Sequence, residues 1–356
     1  MALQASVLAT LPAQEPRSFV RVVDGVKLHW VEYGRAGLRP PAVLLHGLSD
    51  SHLTWRQIAP ELARDRRVLV LDLPGHGLSD RPDAGYELAW YARLVASWME
   101  ALGLSQVDIV GHSLGGGIAL MLLRLCRPRI RRLVLAAPGG LGKEISFVLR
   151  LASLPGIARV VERLGQPFMA LGTWLALARW RSKRPHGQIS ARSVMNARRG
   201  TARAFARTVR DVLDWRGQRH SFLLHAHEIA ELPPIAVLWG DRDTIVPIAH
   251  GKALARGVDG VRFEQLTGCG HDLHHDDPRS FCQAVRDALD VSVWPPMRLR
   301  AVAAPVAELG PTWRPTGVPG LRVAHAGSVA ADEEAAPVLP LERMAPAWLR
   351  WASTRP

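Results

Sequence analysis

A serine that stands between glycines is the first feature of this sequence able to do chemistry. Residues 111–116 read GHSLGG, a stretch that comes directly after the apolar run VDIV and shortly before the apolar run IALMLL. A strand, a sharp turn and a helix in this order hold a serine hydroxyl exposed and strained, as a nucleophile in acyl transfer must be. We therefore predict a nucleophile elbow at Ser113. An ordinary glycine-rich helix cap is the alternative interpretation.

Residues around Ser113 also predict the groups that assist it. Gly111 and Gly115 lie two positions to either side, where a side chain would collide with the neighbouring backbone across so tight a turn. The backbone N–H of Leu114 opens the following helix, and the positive end of the helix dipole favours the negative oxygen that forms during acyl transfer. The sequence therefore predicts one oxyanion donor at Leu114. A base and an acid must come from elsewhere in the chain.

The elements that position Ser113 alternate between strands and helices. Two strands joined by Asp24 and Gly25, RSFVRVV and VKLHWVEY, predict a hairpin with a two-residue turn. Helices are predicted over about Leu53–Ala63 and Ala89–Leu102. Short apolar runs typical of buried parallel strands are AVLL and RVLVLDL, and further strands are predicted at VDIV, RLVLAA, PIAVLWG and VRFEQL. This order predicts an α/β fold with a mostly parallel central sheet.

Residues 139–231 interrupt the alternation with helical periodicity and basic side chains. The segment holds 16 Lys and Arg against 6 Asp and Glu, and its helices are apolar on one side and basic on the other. We predict a helical cap here, with an apolar roof over Ser113 that favours medium-length acyl or other hydrophobic groups. The predicted parts of the chain are an N-terminal extension (1–18), an α/β core (19–138 and 232–291), the cap (139–231) and a Pro/Ala-rich tail (292–356).

Composition limits the class of protein. The chain has 356 residues, 48% of them hydrophobic, and a formal net charge of +13, so it is long enough to bury a sizeable core. Because it shows no apolar run of membrane-spanning length, no signal-peptide pattern and three cysteines at unrelated spacings, we predict a cytoplasmic protein. No RNP-like motif, zinc finger or heptad repeat supports a nucleic-acid partner. The basic side of the cap is either a solvated face or a contact surface for anionic membranes.

Three motifs together resemble the α/β-hydrolase superfamily. They are LLHG after one buried strand, DLPGHGLSD after the next, and GHSLGG at the elbow, and the resemblance runs from about Phe19 to Asp290. It implies an α/β-hydrolase fold, in which helices cover both faces of the sheet, and a catalytic triad in the chain order serine, acid, histidine. DLPGHGLSD is a structural loop in this family, so we expect no catalytic role for its Asp72 and His76.

The same resemblance assigns the remaining catalytic groups. TGCGHD supplies His271 as the base, and GDRD supplies Asp243 as the acid, with Asp241 as the second candidate. Some relatives place the acid after the preceding strand, but that position reads AAPG here and holds no carboxylate. The backbone N–H of Leu48, in the loop after AVLL, is implied as the second oxyanion donor beside Leu114.

Four further histidines lie near these groups in the sequence. His46 and His112 flank the expected oxyanion region, and we expect each of them either to line the pocket or to make a structural hydrogen bond. His274 and His275 belong to HDLHHDD, whose spacing matches no familiar zinc arrangement. We therefore predict a helix entry at this point, and neither a metal ion nor another cofactor.

The function that these residues favour is a serine hydrolase that cleaves a carboxylic ester or thioester of a small hydrophobic substrate through an acyl-enzyme. APGGLG partly resembles the carbon–carbon bond hydrolases of aromatic degradation. Those enzymes carry asparagine before the nucleophile and tryptophan after the base, where this chain has His112 and Asp272. An acyltransferase, a receptor or a binding module on the same scaffold is the other alternative. The sequence leaves the oligomeric state open.

Overall fold

A single large sheet organises the structure, a computed structural model that describes residues 15–37, 39–126, 129–178, 192–229 and 231–300 and a short strand at Glu334–Ala335. Nine strands within this part of the chain form the sheet. They are β1 (Arg17–Val23), β2 (Val26–Tyr33), β3 (Ala42–Leu45), β4 (Val68–Leu71), β5 (Val107–His112), β6 (Ile130–Ala136), β7 (Ile235–Gly240), β8 (Arg262–Leu266) and β9 (Glu334–Ala335).

The sheet is parallel through its centre. Its strand order is β8–β7–β6–β5–β3–β4–β2–β1–β9, with parallel pairing from β8 to β4 and antiparallel pairing for β2, β1 and β9. Every residue of β3 and β4 is buried, which requires cover on both faces of the sheet. The predicted α/β fold with a mostly parallel central sheet is confirmed.

Helices supply this cover. Those of the described residues are α1 (Ala59–Leu62), α2 (Leu88–Ala101), α3 (Leu114–Cys126), α4 (Phe147–Ala152), α5 (Pro155–Leu164), α6 (Gln166–Ala178), α7 (Thr201–Val212), α8 (Ala249–Gly257), α9 (Leu273–Asp276) and α10 (Pro278–Asp290). Helix α2 packs against α3, and α10 packs against α1 and against β6, β7 and β8. Indole rings join the two layers, since Trp30 of β2 meets Trp98 of α2 edge to face at 5.7 Å.

The β1–β2 hairpin turns at Asp24 and Gly25, as the sequence predicts. These residues have φ values of 49° and 77°, the left-handed values that a two-residue type I′ turn requires. Val23 and Val26 pair directly on either side of the turn. The turn thereby sets the register of the antiparallel edge of the sheet.

The predicted helix over Leu53–Ala63 is broken, which corrects the sequence prediction. A 3-10 turn covers His52–Trp55, and α1 begins only at Ala59. Pro60 accounts for the break, because proline lacks the N–H and clashes with a preceding helical turn, so it is tolerated only where a helix begins. The predicted helix over Ala89–Leu102 contains no proline and is present as α2 with each end shifted by one residue.

Helices α4 to α7 lie between β6 and β7, inside the segment predicted as the cap. A further helical turn covers residues 192–196. Helix α7 packs against α4, α5 and α6, so these helices form a packed group of their own. Within the described part of the chain, no helix combines the length and the apolar character needed to cross a bilayer.

The first residues of the predicted tail pack on the core. Trp294 Nε1 donates to Gly260 O at 3.0 Å, and the Arg262 guanidinium lies 4.4 Å from the centre of the same indole. Arg298–Leu299 then pairs with Val258–Asp259 as a two-stranded ribbon. The first 14 residues of the predicted N-terminal extension lie outside the described residues, as do three tail tryptophans, Trp313, Trp348 and Trp351.

Candidate active site

Ser113 is the single residue that connects a strand to the helix that follows it. Strand β5 ends at His112 and α3 begins at Leu114. The φ of Ser113 is 51°, a left-handed value that costs a residue with a side chain roughly 1–2 kcal/mol. Its N–H donates to Ala136 O at 3.0 Å, and its carbonyl accepts from Gly117 N–H at 3.1 Å. The strained turn is thus held by backbone hydrogen bonds on both sides.

Gly111 and Gly115 permit this turn because nothing larger fits. A Cβ on Gly111 would lie 2.7 Å from Gly115 O, and a Cβ on Gly115 would lie 2.4 Å from Leu45 O. Both obstacles are backbone atoms, so they cannot give way without displacing β3 or α3. The steric requirement that the sequence predicts for these two glycines is present in the structure.

His271 and Asp243 reach Ser113 from loops at the same edge of the sheet. Asp243 follows β7, and His271 follows β8. His271 Nε2 lies 2.9 Å from Ser113 Oγ, and His271 Nδ1 lies 2.8 Å from Asp243 Oδ2. The carboxyl ends of parallel strands meet at one edge, which brings together residues as far as 158 positions apart in the chain.

The Asp243 carboxylate is oriented by its own loop. Its side chain is fully buried, and Oδ1 accepts hydrogen bonds from the backbone N–H groups of Ile245 at 2.8 Å and Val246 at 3.0 Å. These two donors engage one oxygen, so Oδ2 is the atom that faces His271. The imidazole therefore meets a carboxylate whose direction is set before the contact forms.

Asp241, the second candidate for the acid, points to a different loop. It is exposed, and its Oδ1 accepts from Gly268 N–H at 2.7 Å. Its own N–H donates to Leu266 O at 3.2 Å, which continues the pairing of β7 with β8. Of the two aspartates, the structure thus brings Asp243 to His271 and gives Asp241 a role in the turn.

Burial and charge act in opposite directions on His271. Burial lowers the pKa of the imidazole, but the hydrogen bond and negative charge of Asp243, together with the charge of Asp272, outweigh it. The nearby guanidinium of Arg192 lowers the pKa by a smaller amount. The net pKa lies above the ordinary histidine value. The neutral, proton-accepting form of His271 therefore predominates only at pH values above that raised pKa.

Leu48 and Leu114 both lie beside Ser113. Leu114 is the first residue of α3, where backbone N–H groups have no acceptor within the helix. Leu48 follows Gly47, and a Cβ on Gly47 would lie 3.3 Å from Ser113 Cβ. Both leucines line one cavity together with Ser113. The structure thus places the two predicted oxyanion donors on residues adjacent to the serine.

The cavity beside Ser113 is mostly apolar. About 570 Å³ of space there is free of protein atoms, a volume that includes open solvent. The aliphatic residues that line it are Leu48, Leu88, Leu114, Ile145, Leu149, Val212, Leu213, Ile245 and Val246. Its polar lining comes from Ser113, Thr208, Gln218 and His220, and none of the described lining residues is Lys or Arg. The cavity therefore lies between the α/β core and the helical segment predicted as the cap.

Comparison with known proteins identifies the family. Residues 40–278 match the sequence model of the alpha/beta hydrolase fold. This chain belongs to the α/β-hydrolase fold family. It is 30% identical to an uncharacterized protein of Mycobacterium tuberculosis, over 85% of this chain and 90% of that protein. It is also 30% identical to the 2-hydroxy-6-oxo-2,4-heptadienoate hydrolase of Pseudomonas putida, over 71% of this chain and 90% of that protein.

A solved structure agrees with this assignment. An α/β-hydrolase fold protein from Burkholderia ambifaria aligns with a TM-score of 0.62 and 26% identity, covering 75% of this chain and 96% of that one. The family that the motifs of the sequence resemble is therefore confirmed.

In this α/β-hydrolase, His46 and His112 make structural hydrogen bonds. His46 Nε2 accepts from Leu73 N–H at 3.0 Å, and its Nδ1 donates to Gly47 O at 2.8 Å. His112 Nε2 donates to His271 O at 3.0 Å, and burial, followed by the charge of His271, lowers the pKa of His112 to about 4. Both side chains are buried and neither lines the cavity. Of the two roles expected from the sequence, the structure shows hydrogen bonding, and His112 holds the loop of His271.

His274 and His275 meet at one hydroxyl group. Their Nε2 atoms lie 2.7 and 2.8 Å from Thr54 Oγ1, and Asp50 lies close enough for the three ionisable side chains to form a group of metal-ligating type. Hydrogen bonds already engage the potential ligand atoms of this group. Thr54 Oγ1 contacts the two Nε2 atoms, and Arg192 binds both carboxylate oxygens of Asp50. Burial, followed by the charge of His275, holds the pKa of His274 well below its usual value. The cluster therefore acts as a hydrogen-bonded link between α9 and the turn that holds Thr54.

A second Ser–His–Asp chain connects β1, β2 and the loop after β4. Ser18 Oγ lies 2.6 Å from His29 Nε2, and His29 Nδ1 lies 2.8 Å from Asp72 Oδ2. Unlike Ser113, Ser18 lies inside a strand without left-handed φ. It therefore lacks the adjoining helix N-terminus that would stabilise an oxyanion. Asp72 also accepts from His52, so this chain is a structural link and offers a matched control for Ser113.

Three polar residues near the site are absent from the sequence prediction: the buried Asp50 and Asn196, and the partly buried Arg192. Arg192 Nε donates to Asp50 Oδ1 at 2.8 Å, although 142 positions separate the two residues. Asn196 lies on the same helical turn as Arg192 and contacts the same loop as Asp50. No motif or local spacing signals such contacts, because they join the predicted cap to the core across the whole fold.

Proposed function

We propose that this protein is a serine hydrolase that cleaves carboxylic esters or thioesters of small hydrophobic substrates. The observation that carries the proposal is the hydrogen-bonded chain from Ser113 Oγ through His271 to Asp243. It supports nucleophilic catalysis because a base stands within reach of the hydroxyl and a buried acid orients that base. No cofactor enters the proposed reaction.

The proposed reaction proceeds through an acyl-enzyme. His271 Nε2 takes the proton of Ser113 Oγ while this oxygen attacks the carbonyl carbon. The oxyanion that forms accepts hydrogen bonds from the backbone N–H groups of Leu48 and Leu114. His271 then protonates the departing alcohol or thiol, and the acyl group stays on Ser113. Water activated by the same imidazole attacks the acyl carbon, releases the acid and restores the serine.

The apolar cavity supports a hydrophobic acyl group as the part of the substrate that is recognised. Aliphatic side chains dominate its lining, and burial of apolar surface contributes about 0.8 kcal/mol per methylene. A free carboxylate on the substrate would meet no Lys or Arg among the described lining residues, and burial of an unpaired charge is costly. The lining therefore favours neutral esters over anionic compounds.

Acyl-chain length should control the rate of hydrolysis. We expect kcat/KM for p-nitrophenyl esters to rise from acetate towards hexanoate or octanoate by about fourfold per buried methylene, and to fall again at palmitate. Steady-state hydrolysis of the series from acetate to palmitate by the wild-type protein measures this. Fastest turnover of acetate, with a steady decline as the chain lengthens, would contradict the proposed pocket.

Two tryptophan variants test whether the cavity sets this optimum. Leu149 lines the cavity, so Leu149→Trp should fill part of it and move the optimum towards shorter esters. Leu151 lies on the same helix but is exposed, so Leu151→Trp should leave the profile unchanged. An identical profile for Leu149→Trp and wild type would show that the acyl group binds elsewhere.

A carbon–carbon bond hydrolase is the second candidate, favoured by the similarity to the Pseudomonas putida heptadienoate hydrolase. His112 and Asp272 stand where the sequence comparison expects asparagine and tryptophan in such enzymes, and the uncharged cavity lining fits a dienoate poorly. Incubating the protein with 2-hydroxy-6-oxo-2,4-heptadienoate and following its absorbance, beside the best p-nitrophenyl ester, separates the two candidates. Faster turnover of the dienoate would favour carbon–carbon cleavage.

We also propose that the helical segment predicted as the cap contacts anionic membranes. Phe147 and Val148 stand next to cavity-lining Leu149 on α4, and their exposed fractions are 60% and 73%. Trp215 is 45% exposed, and the Arg150 guanidinium lies 5.1 Å from the centre of its ring. Aromatic and aliphatic side chains mixed with basic residues are typical of surfaces that enter the membrane interface.

Vesicle flotation tests this contact. The wild-type protein should float with phosphatidylglycerol–phosphatidylcholine vesicles at low salt, and less so at high salt because ions screen the attraction. A double variant, Phe147→Ser with Val148→Ser, should stay in the dense fraction. Val22→Ser removes an equally exposed side chain (65%) from β1 and should float like wild type. Absence of flotation by the wild type at low salt would remove the proposal.

A further inference from the structure

The helical turn at residues 192–196 connects the predicted cap to the loop that contains Leu48. Arg192 Nε donates to Asp50 Oδ1 at 2.8 Å, and Nη2 of the same guanidinium binds Asp50 Oδ2. Asn196, four positions later and thus on the same side of the helical turn, donates from Nδ2 to Ser49 O at 3.0 Å. Two side chains from one helical turn therefore bind the two residues that follow Leu48.

The loop that these side chains bind is strained. Ser49 has a φ of 58°, and a left-handed residue with a side chain persists only where its surroundings enforce it. Asp50 and Ser51 are buried, and Ser51 N–H donates to Asp50 Oδ1 at 2.9 Å. Loss of the contacts from Arg192 or Asn196 would let the strain at Ser49 relax. The backbone N–H of Leu48, the preceding residue, would then move.

The same guanidinium also faces the proposed base. Arg192 Nη1 lies 3.7 Å from Asp272 Oδ2, and Asp272 directly follows His271 in the chain. The charged or titratable groups that face His271 are Asp243 after β7, Asp272 on its own loop, His112 at the end of β5 and Arg192. Arg192 is thus the cation that the helical segment adds to this group.

We propose that Arg192 and Asn196 are positioning residues, which hold the backbone N–H of Leu48 where it binds the oxyanion. The inference rests on the proposed function, in which Leu48 is one of two oxyanion donors. Because the oxyanion exists only in the transition state and the tetrahedral intermediate, loss of this alignment lowers kcat and leaves KM nearly unchanged.

Three variants separate positioning from charge. Arg192→Met and Asn196→Ala should each lower kcat by about 10- to 100-fold, with little change in KM. Beside burial, the charge of Arg192 lowers the pKa of His271, so Arg192→Met should also move the acidic limb of the kcat/KM profile to higher pH. Asn196→Ala removes no charge and should leave that limb in place. Arg192→Lys keeps the charge, so it should retain the wild-type limb and recover part of kcat.

A transition-state analogue supplies a measurement that a general loss of stability does not change. Ser113 Oγ adds to the carbonyl of an alkyl trifluoromethyl ketone, its proton passes to His271, and the former carbonyl oxygen occupies the oxyanion position. The inhibition constant of this ketone should rise in Asn196→Ala by the same factor as kcat/KM falls. The inhibition constant of the product acid, a ground-state ligand, should stay near the wild-type value. An unchanged inhibition constant for the ketone overturns the inference.

Controls separate failure of this inference from failure of the proposed function. Retained hydrolysis by Ser113→Ala overturns both the proposed function and the inference that rests on it. Loss of hydrolysis in Ser113→Ala, with wild-type kcat in Arg192→Met and Asn196→Ala, overturns the inference alone. Because Arg192→Met leaves the buried Asp50 without its cation, Arg192→Met combined with Asp50→Asn is the control for folding. This neutral pair should fold and keep a low kcat, and a wild-type kcat overturns the inference.

Discussion

Ser113→Ala should abolish ester hydrolysis, with kcat on the order of 10⁶-fold below wild type. The variant removes the only atom that would attack the carbonyl carbon, while the backbone hydrogen bonds to Ala136 and Gly117 that hold the turn remain. Its thermal unfolding should therefore match wild type. Initial rates on the best p-nitrophenyl ester of the series, measured beside thermal unfolding, test this expectation.

Ser18→Ala is the matched control, because Ser18 also bonds a histidine that bonds an aspartate. It should keep the wild-type rate, since no helix N-terminus adjoins Ser18. Loss of hydrolysis in Ser18→Ala but not in Ser113→Ala would move the nucleophile to β1. If wild type hydrolyses no ester of the series, the carbon–carbon bond hydrolase and the noncatalytic scaffold become the favoured alternatives.

Asp243→Asn should lower kcat by about 10⁴-fold, whereas Asp241→Asn should stay near wild type. An asparagine oxygen can still accept from Ile245 and Val246, so the amide nitrogen is turned towards His271 Nδ1 and favours the wrong tautomer of the imidazole. Asp241 bonds Gly268 in the β8 loop instead. Steady-state rates of the two variants on one ester measure the difference.

The pH profile of Asp243→Asn provides a second result. Against the effect of burial, Asp243 raises the pKa of His271 through its hydrogen bond and its charge. Without that charge the imidazole loses its proton at lower pH, so the residual activity should persist further into the acidic range than in wild type. A large loss in Asp241→Asn, with little loss in Asp243→Asn, would instead make Asp241 the acid.

Much of the site is predictable from the sequence because its central turn is a local structure. Ser113 is the single residue between β5 and α3, and the turn itself limits Gly111, where a Cβ would lie 2.7 Å from Gly115 O. Gly115 is limited instead by Leu45 O of β3, a strand that is distant in the chain and pairs with β5. The break before α1 is local in the same sense as the turn, since Pro60 alone accounts for it. The mostly parallel sheet also follows from a local signal, because strands buried on both faces, such as β3 and β4, are apolar throughout.

Contacts between distant parts of the chain required the tertiary structure. Two aspartates in GDRD are chemically alike, and only the direction of the loop after β7 brings Asp243, rather than Asp241, to His271. The sequence around His112 is the same whether this side chain lines a pocket or donates to His271 O. Only the packing of the folded chain decides between these two roles.

The sequence by itself therefore determined the α/β fold, the family resemblance and the strained turn at Ser113. The tertiary structure alone decided which aspartate meets the histidine, which residues line the cavity, and that Arg192 binds Asp50 across 142 positions. The physical reason is the range of the interactions. Apolar periodicity and the sterics within a turn act over a few consecutive residues, so they can be recognised in the amino-acid sequence. Side-chain contacts between separate elements exist only after the sheet and the helical segment have packed together.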